Sequence, residues 1–236
     1  MQIDIPNVGT KTICDLTSKD IYKVFLLNNV PIIPSKQYWF EKFGTNEIDW
    51  DTLFMVNSIN VFMPRPVKDF NWRLTHGLVN FNSKLHHMKN KDGSPFSDGN
   101  CGVCTGGILE SGQHCIYECP NSTRLWKKVE GALSYTEEKQ VTITSQHAMT
   151  GFWKDGTSDL ILLKNMVIGI TRFHIWKVRN SIKLDGKSID INGSCNILRT
   201  TLINHIGVLL SLYKENEPLG KYLNRFKQGI IEHGFI

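Results

Sequence analysis

Cys101-Gly102-Val103-Cys104, followed by His114-Cys115-Ile116-Tyr117-Glu118-Cys119-Pro120, is the stretch on which the reading of this chain turns. As a pattern it is C-x2-C-x9-H-x4-C. Thiolates and neutral imidazoles are good ligands for zinc, and four of them within nineteen residues can close around one tetrahedral ion. The C-x2-C turn presents two thiolates to one side, with Gly102, Gly106 and Gly107 letting the backbone turn tightly. His114 and Cys119 bring the chain back on a turn that enters a helix. Cys115 stands beside His114, so an all-thiolate set of Cys101, Cys104, Cys115 and Cys119 also satisfies the spacing. Four protein ligands leave no open coordination position, which points to a structural rather than a catalytic ion.

Outward from this stretch, helix signals are frequent and strand signals few. Thr17-Ser18-Lys19-Asp20 reads as a helix start with Ile21, Val24 and Phe25 on one face. Pro34 and Ser35 open a second short helix that Gly44 closes. Asp49 caps a third, carrying Trp50, Leu53, Phe54 and Val56. A fourth runs from about Val67 to His76 and stops at Gly77, and a fifth from about Asn82 to Met88. Residues 89–100 are turn formers throughout. Pro120 starts a helix through Leu125, Trp126, Val129 and Leu133, and Ser158 or Asp159 starts a long one to about Ile182. Helices over about 193–214 and 218–232 complete the chain. The expected fold is therefore mainly α. A helical region over 1–133 holds the zinc knuckle at 101–119, a polar linker covers 134–158, and C-terminal helices fill 159–236.

Composition bounds the function classes. An apolar fraction of 41% and an aromatic fraction of 10% supply a packed core, which excludes global disorder. No run of eighteen apolar residues reads as a membrane span, and no basic-then-apolar leader follows Met1. The expected setting is intracellular, nucleus or cytoplasm, where clustered cysteines favour metal over disulfides. Lys and Arg are fewer than Asp and Glu over 1–120, eleven against twelve, but outnumber them over 121–236, sixteen against ten. That C-terminal positive balance suits an anionic partner.

Two basic sets are candidate nucleic-acid contacts. Arg172, Trp176, Arg179 and Lys183 fall on one face of the long helix, where cations could meet phosphates and the indole could stack on a base. The plainer alternative is a solvated basic face with Trp176 half in the core. Lys84, Lys89 and Lys91 precede the Cys/His stretch and Arg124, Lys127 and Lys128 follow it, forming a second set around the metal. Trp72 reads as packing against the metal loop, and His76 as a capping or core residue. There is no Ser/His/Asp or Cys/His nucleophile arrangement, no phosphate-binding glycine loop after a strand, and no polymerase Tyr-x-Asp-Asp or endonuclease signature. A non-enzymatic role is expected.

The run Val67-Lys68-Asp69-Phe70-Asn71-Trp72-Arg73-Leu74-Thr75-His76-Gly77 is followed by Cys101-x2-Cys104, Glu110, His114, Cys119-Pro120 and Trp126. In that order these elements resemble the zinc-binding domain that follows the reverse transcriptase in non-LTR (LINE-type) retrotransposon proteins. Ile175-Trp176-Lys177-Val178-Arg179-Asn180 resembles the segment that trails this domain, and Thr17–Tyr22 and Ile48–Trp50 its lead-in helices. The likeness covers residues 67–126 specifically and most of 15–185 loosely. It implies zinc on Cys101, Cys104, His114 and Cys119 and a non-catalytic module holding RNA or DNA near a polymerase. The reverse transcriptase itself would be a separate chain. A zinc-stabilised scaffold for a protein partner, as a domesticated or truncated fragment of such an element, is the alternative.

Overall fold

The structure, a computed structural model, describes residues 2–5, 9–12, 15, 17, 20, 39, 43, 48–104, 106–152, 158–183, 185–186 and 190–235. The chain divides into two compact units, Met1–Gly44 and Thr45–Ile236. In the first, strands β1 (Gln2–Ile5) and β2 (Gly9–Thr12) pair antiparallel, Gln2 opposite Thr12 and Ile5 opposite Gly9. Gly9 has φ +92°, a turn conformation that favours glycine. The Thr17 hydroxyl donates to the Asp20 carboxylate at 2.7 Å and the Asp20 N–H donates to Thr17 Oγ1 at 3.3 Å, the reciprocal bonding of a helix start. The apolar face expected after it, Ile21, Val24 and Phe25, lies outside the described residues, as does most of the helix expected from Pro34 to Gly44. Trp39 and Phe43, both in helical backbone, stack at 5.5 Å.

The second unit is mainly helical. Its elements are α1 (Trp50–Ile59), α2 (Arg65–Thr75), the single turn α3 (Asn82–Leu85), a π-helical turn (His114–Glu118), α4 (Pro120–Glu137), α5 (Ser145–Thr150), α6 (Asp159–Lys183), α7 (Ile191–Leu212), α8 (Pro218–Gly229) and a second π-helical turn (Ile230–Gly234). Caps set several starts: Asp49 accepts from the N–H groups of Asp51 and Thr52 at 3.1 Å, and Asp190 from that of Gly193 at 2.6 Å. Gly77, at φ +66°, stops α2.

The core is built around α6. From Ile161 to Arg172 every residue except Lys164 is buried, so this stretch is enclosed on all sides. Helices α1, α2, α4, α5, α7, α8 and the first π turn all pack against it. Gly169 permits the closest approach. A Cβ there would sit 2.7 Å from the Met63 methyl and 2.9 Å from Asn71 Nδ2.

Residues 134–158, expected as a linker, are folded over their described part. Helix α4 runs on to Glu137, and Thr144 and His147 cap α5 reciprocally. Ile143 is buried, with its N–H on Glu130 Oε1 at 2.6 Å and its carbonyl taken by the Tyr117 hydroxyl at 3.1 Å. The stretch is polar in composition, but Ile143, Ala148 and Met149 face the core. A second difference concerns α7. By length and composition it could cross a membrane, although its residues Leu198, Leu202 and Ile206 are fully buried while Ile197, Val208 and Leu212 are exposed.

Candidate metal centre

The backbone assembles the site in two steps. Residues 99–110 fold back on themselves: the Cys101 N–H donates to the Ile108 carbonyl at 2.8 Å and the Glu110 N–H to the Gly99 carbonyl at 2.8 Å. Gly99 (φ +82°) and Gly107 (φ +60°) occupy the left-handed conformations this hairpin requires. The C-x2-C turn lies inside it. His114 and Cys119 then stand at the two ends of the π turn, closed by the Cys119 N–H on the His114 carbonyl at 2.7 Å. In an α-helix, residues five apart diverge by about 140° around the axis. The wider π turn instead brings imidazole and thiol to one side.

The result is convergence. One ligand atom from each of Cys101, Cys104, His114 and Cys119 lies within 4.8 Å of all the others, so this group could hold a metal ion. Cys104 Sγ and His114 Nε2 are 3.5 Å apart. Cys115 is not in the group. It is buried, and burial, and next the Glu110 charge, push its thiol well above the ordinary range. Of the two readings the spacing allows, the imidazole set is the one whose atoms converge.

The thiols already interact. Cys101 is pushed up to about 12, chiefly by its hydrogen bond to Cys119 and then by burial. The same bond pulls Cys119 down, aided by the N–H groups of Asn121 and Ser122 at the start of α4. Burial raises Cys104. A cation among them would reverse the upward shifts, because a metal-bound thiol is deprotonated.

A π turn leaves carbonyls without helical partners, and α4 supplies them. Ser122 Oγ donates to the Cys115 carbonyl at 2.6 Å, Trp126 Nε1 to that of Ile116 at 2.7 Å, and Thr123 Oγ1 to that of Tyr117 at 2.9 Å. Glu110, fully buried, anchors the other side. Its Oε1 accepts from Arg179 Nε (2.9 Å), Arg179 Nη2 (2.6 Å) and the Asn82 N–H (2.9 Å). Arg179 Nη2 also reaches Asn82 Oδ1 at 2.8 Å. The metal loop is thereby tied to α6 and α3. Glu110, Trp126 and the Arg-Asn pair at 179–180 are visible in the sequence, but nothing in their spacing says that Glu110 and Arg179 meet across sixty-nine positions.

The expected basic stripe on α6 is corrected. Arg172 is 1% exposed, and its guanidinium donates to the Ala148 carbonyl (2.6 Å), Asn71 Oδ1 (2.7 Å) and the His147 carbonyl (3.0 Å). It closes the C-terminal turn of α5, where a helix attracts positive charge. Burial lowers its pKa to about 9, which keeps it charged at neutral pH. Arg179 is committed to Glu110. Trp176 is half-buried against Phe70 (5.1 Å) and Phe173 (5.9 Å). Lys183 is half-buried, 3.3 Å from the Asp98 carboxylate and beside Gly102 of the metal loop. The stripe fails because Arg172 and Arg179 lie where α6 is packed against its neighbours, and those two cations serve the interior. In the second set Lys84, Lys89, Arg124 and Lys127 are exposed and Lys128 is half-buried. Trp72 does not pack on the metal loop; it is 53% exposed and lies 4.5 Å from His76.

Compared with known protein families, with curated proteins and with solved structures, the chain matches none.

Proposed function

We propose that this chain is a non-catalytic zinc-binding module derived from a LINE-type retrotransposon protein, and that it holds RNA or DNA. The observation that carries the proposal is the convergence of three thiols and one imidazole within 4.8 Å. That donor set, closed at four, is the one zinc takes in structural sites. Bound there, the ion would supply cross-linking energy to a loop with little core of its own, and no activated water. The family reading gains support from Glu110 and Arg179. Each belongs to a segment that carries the resemblance, and the two form one buried pair. The nucleic-acid reading rests on the exposed cations Lys84, Lys89, Arg124 and Lys127.

The test has two arms on one sample of reduced, full-length protein. Metal analysis is expected to return one zinc per chain, falling to near zero in Cys104→Ser and His114→Ala. Titration with labelled RNA and single-stranded DNA at two salt concentrations is expected to show binding that weakens steeply with salt, and Lys127→Ala/Lys128→Ala to lower the slope. No affinity for either nucleic acid at low salt removes the second arm.

One observation favours a protein partner instead. A groove lined by Phe70, Leu85, Phe173 and Trp176 is flanked by Leu78 and Phe96, which are 57% and 51% exposed. A zinc-stabilised scaffold is the reading that remains if nucleic-acid binding is absent.

A further inference from the structure

Helices α1 and α2 carry a run of three rings. Phe54 and His76 are stacked, their planes 3° apart and their centroids 4.9 Å apart, and Trp72 continues the run at 4.5 Å from His76. Phe54 comes from α1, Trp72 is one turn from the end of α2, and His76 follows that helix. The outermost ring, Trp72, is more than half exposed. Large aromatic side chains are usually buried more fully than this. A groove of about 460 Å³ opens beside the rings, within the size range of small-ligand sites.

The walls are mixed rather than apolar. Asn57, Ser58 and Lys68 line the groove together with the rings. The Asn57 amide nitrogen donates to the Leu53 carbonyl at 3.0 Å, which leaves its amide oxygen able to accept. The groove carries one charge of each sign, Lys68 and Asp69. Asp69 is paired with Arg73 at 2.9 Å, whereas the Lys68 ammonium makes a long contact, 3.4 Å to the Ser58 carbonyl, and can turn to an anion. Burial lowers the His76 pKa, so its ring adds no charge at neutral pH. The occupant that fits has a flat π-face, hydrogen-bonding edges and an anionic group nearby. An apolar peptide would cover the Lys68 ammonium and the Asn57 amide oxygen while offering neither a polar partner.

We propose that the Phe54–His76–Trp72 run is a base-stacking platform for single-stranded nucleic acid, with a base on Trp72 and a backbone phosphate at Lys68. This rests on the nucleic-acid reading above and assigns it a surface apart from the lysines around the metal. Stacking of this kind tolerates any base, so the platform confers strand binding with little sequence preference.

The test uses full-length, metal-loaded protein with a short oligothymidylate, a short oligouridylate and a free mononucleotide as probes, followed by tryptophan emission and by anisotropy of labelled strands. Binding of the strands is expected to quench emission. Trp72→Ala is expected to weaken affinity roughly tenfold, with Trp72→Phe restoring most of it and Lys68→Ala removing part of the salt dependence. Trp72 is exposed, so the variants should keep the wild-type circular dichroism and metal content, and both are measured. Equal strand affinity of Trp72→Ala and wild type overturns the platform and leaves the nucleic-acid reading standing on the lysines. No strand binding by the wild type overturns both. A mononucleotide that binds as tightly as the strands overturns the strand assignment in favour of a free nucleotide. If an amphipathic apolar helical peptide quenches Trp72 and the strands do not, the groove belongs to a protein partner and the proposal is overturned.

Discussion

The loop that carries Cys101, Cys104, His114 and Cys119 and the helix α6 stand at opposite ends of how a chain can be held. Around the loop the apolar side chains Ile108 and Leu109 are about half exposed, at 46% and 58%, and order comes from backbone bonds, polar side chains and the converging ligands. Along α6 from Ile161 to Arg172, side chains such as Leu163, Met166 and Ile168 are buried, and the polar residues Asn165, Thr171 and Arg172 are hydrogen-bonded inside. The two regions meet at Glu110 and Arg179. The difference teaches that the loop depends on polar and ionic ties, the Glu110–Arg179 pair and, under the proposed function, a zinc ion among its four ligands, while the helix depends on area removed from water.

Chelation should separate the two regions most sharply. Removing the metal is expected to cost the loop stability on the order of 10 kcal/mol, the range of structural zinc sites. Amide exchange over residues 99–119 should become fast while the centre of α6 stays protected. Uniform protection before and after chelation would break the comparison.

Next in size is the joint itself. Arg179→Ala leaves the Glu110 charge buried and unpaired, which should destabilise by about 3–5 kcal/mol in urea unfolding. Arg179→Lys should recover only part, because the ammonium lacks the fork that reaches both Glu110 and Asn82. A loss confined to the surface-pair range, below about 1 kcal/mol, would sink the claim that this pair joins the regions.

Acid should then weaken the helix side. His174 on α6 is buried against Ser194, 3.0 Å away, and desolvation lowers its pKa from 6.5 to about 4. The unfolded chain thus takes up the proton first. This contribution is complete above pH 6.5 and is lost as pH falls towards 4, reaching on the order of 3 kcal/mol. Urea unfolding of the metal-free protein across that window should show the slope, and His174→Gln should flatten it. An unchanged slope in His174→Gln assigns the acid sensitivity to other groups.

The smallest effect probes the seam between π turn and α4. Trp126→Phe keeps most of the apolar ring but removes the N–H that serves the Ile116 carbonyl, so about 1–3 kcal/mol should be lost. Measured metal affinity should fall with it if the turn positions His114 and Cys119. Unchanged affinity would mean that the turn holds its shape without the indole.

Helix positions in the second unit were legible because local signals carry them. Asp49, Gly77, Pro120 and Pro218 mark ends or starts that the structure keeps. The segment 134–158 misled because, among its described residues, the buried apolar side chains Ile143, Ala148 and Met149 are too few to show against a polar background. The α6 stripe misled more instructively. Helical periodicity correctly predicts that Arg172 and Arg179 share a face, yet a face is not a surface until its neighbours are known.

The sequence by itself determined the helical character and the presence of a candidate metal-binding cluster, because both are written in local spacing: capping residues, apolar periods and a Cys/His pattern short enough to close on one ion. Only the tertiary structure decided that His114 and not Cys115 joins the cluster, that Glu110 meets Arg179, and that the Trp72 indole is left more than half exposed. Those outcomes depend on a π turn and on contacts between distant segments, and burial, which turns a cation into a structural strut or leaves an aromatic ring free, is a property of the packed chain.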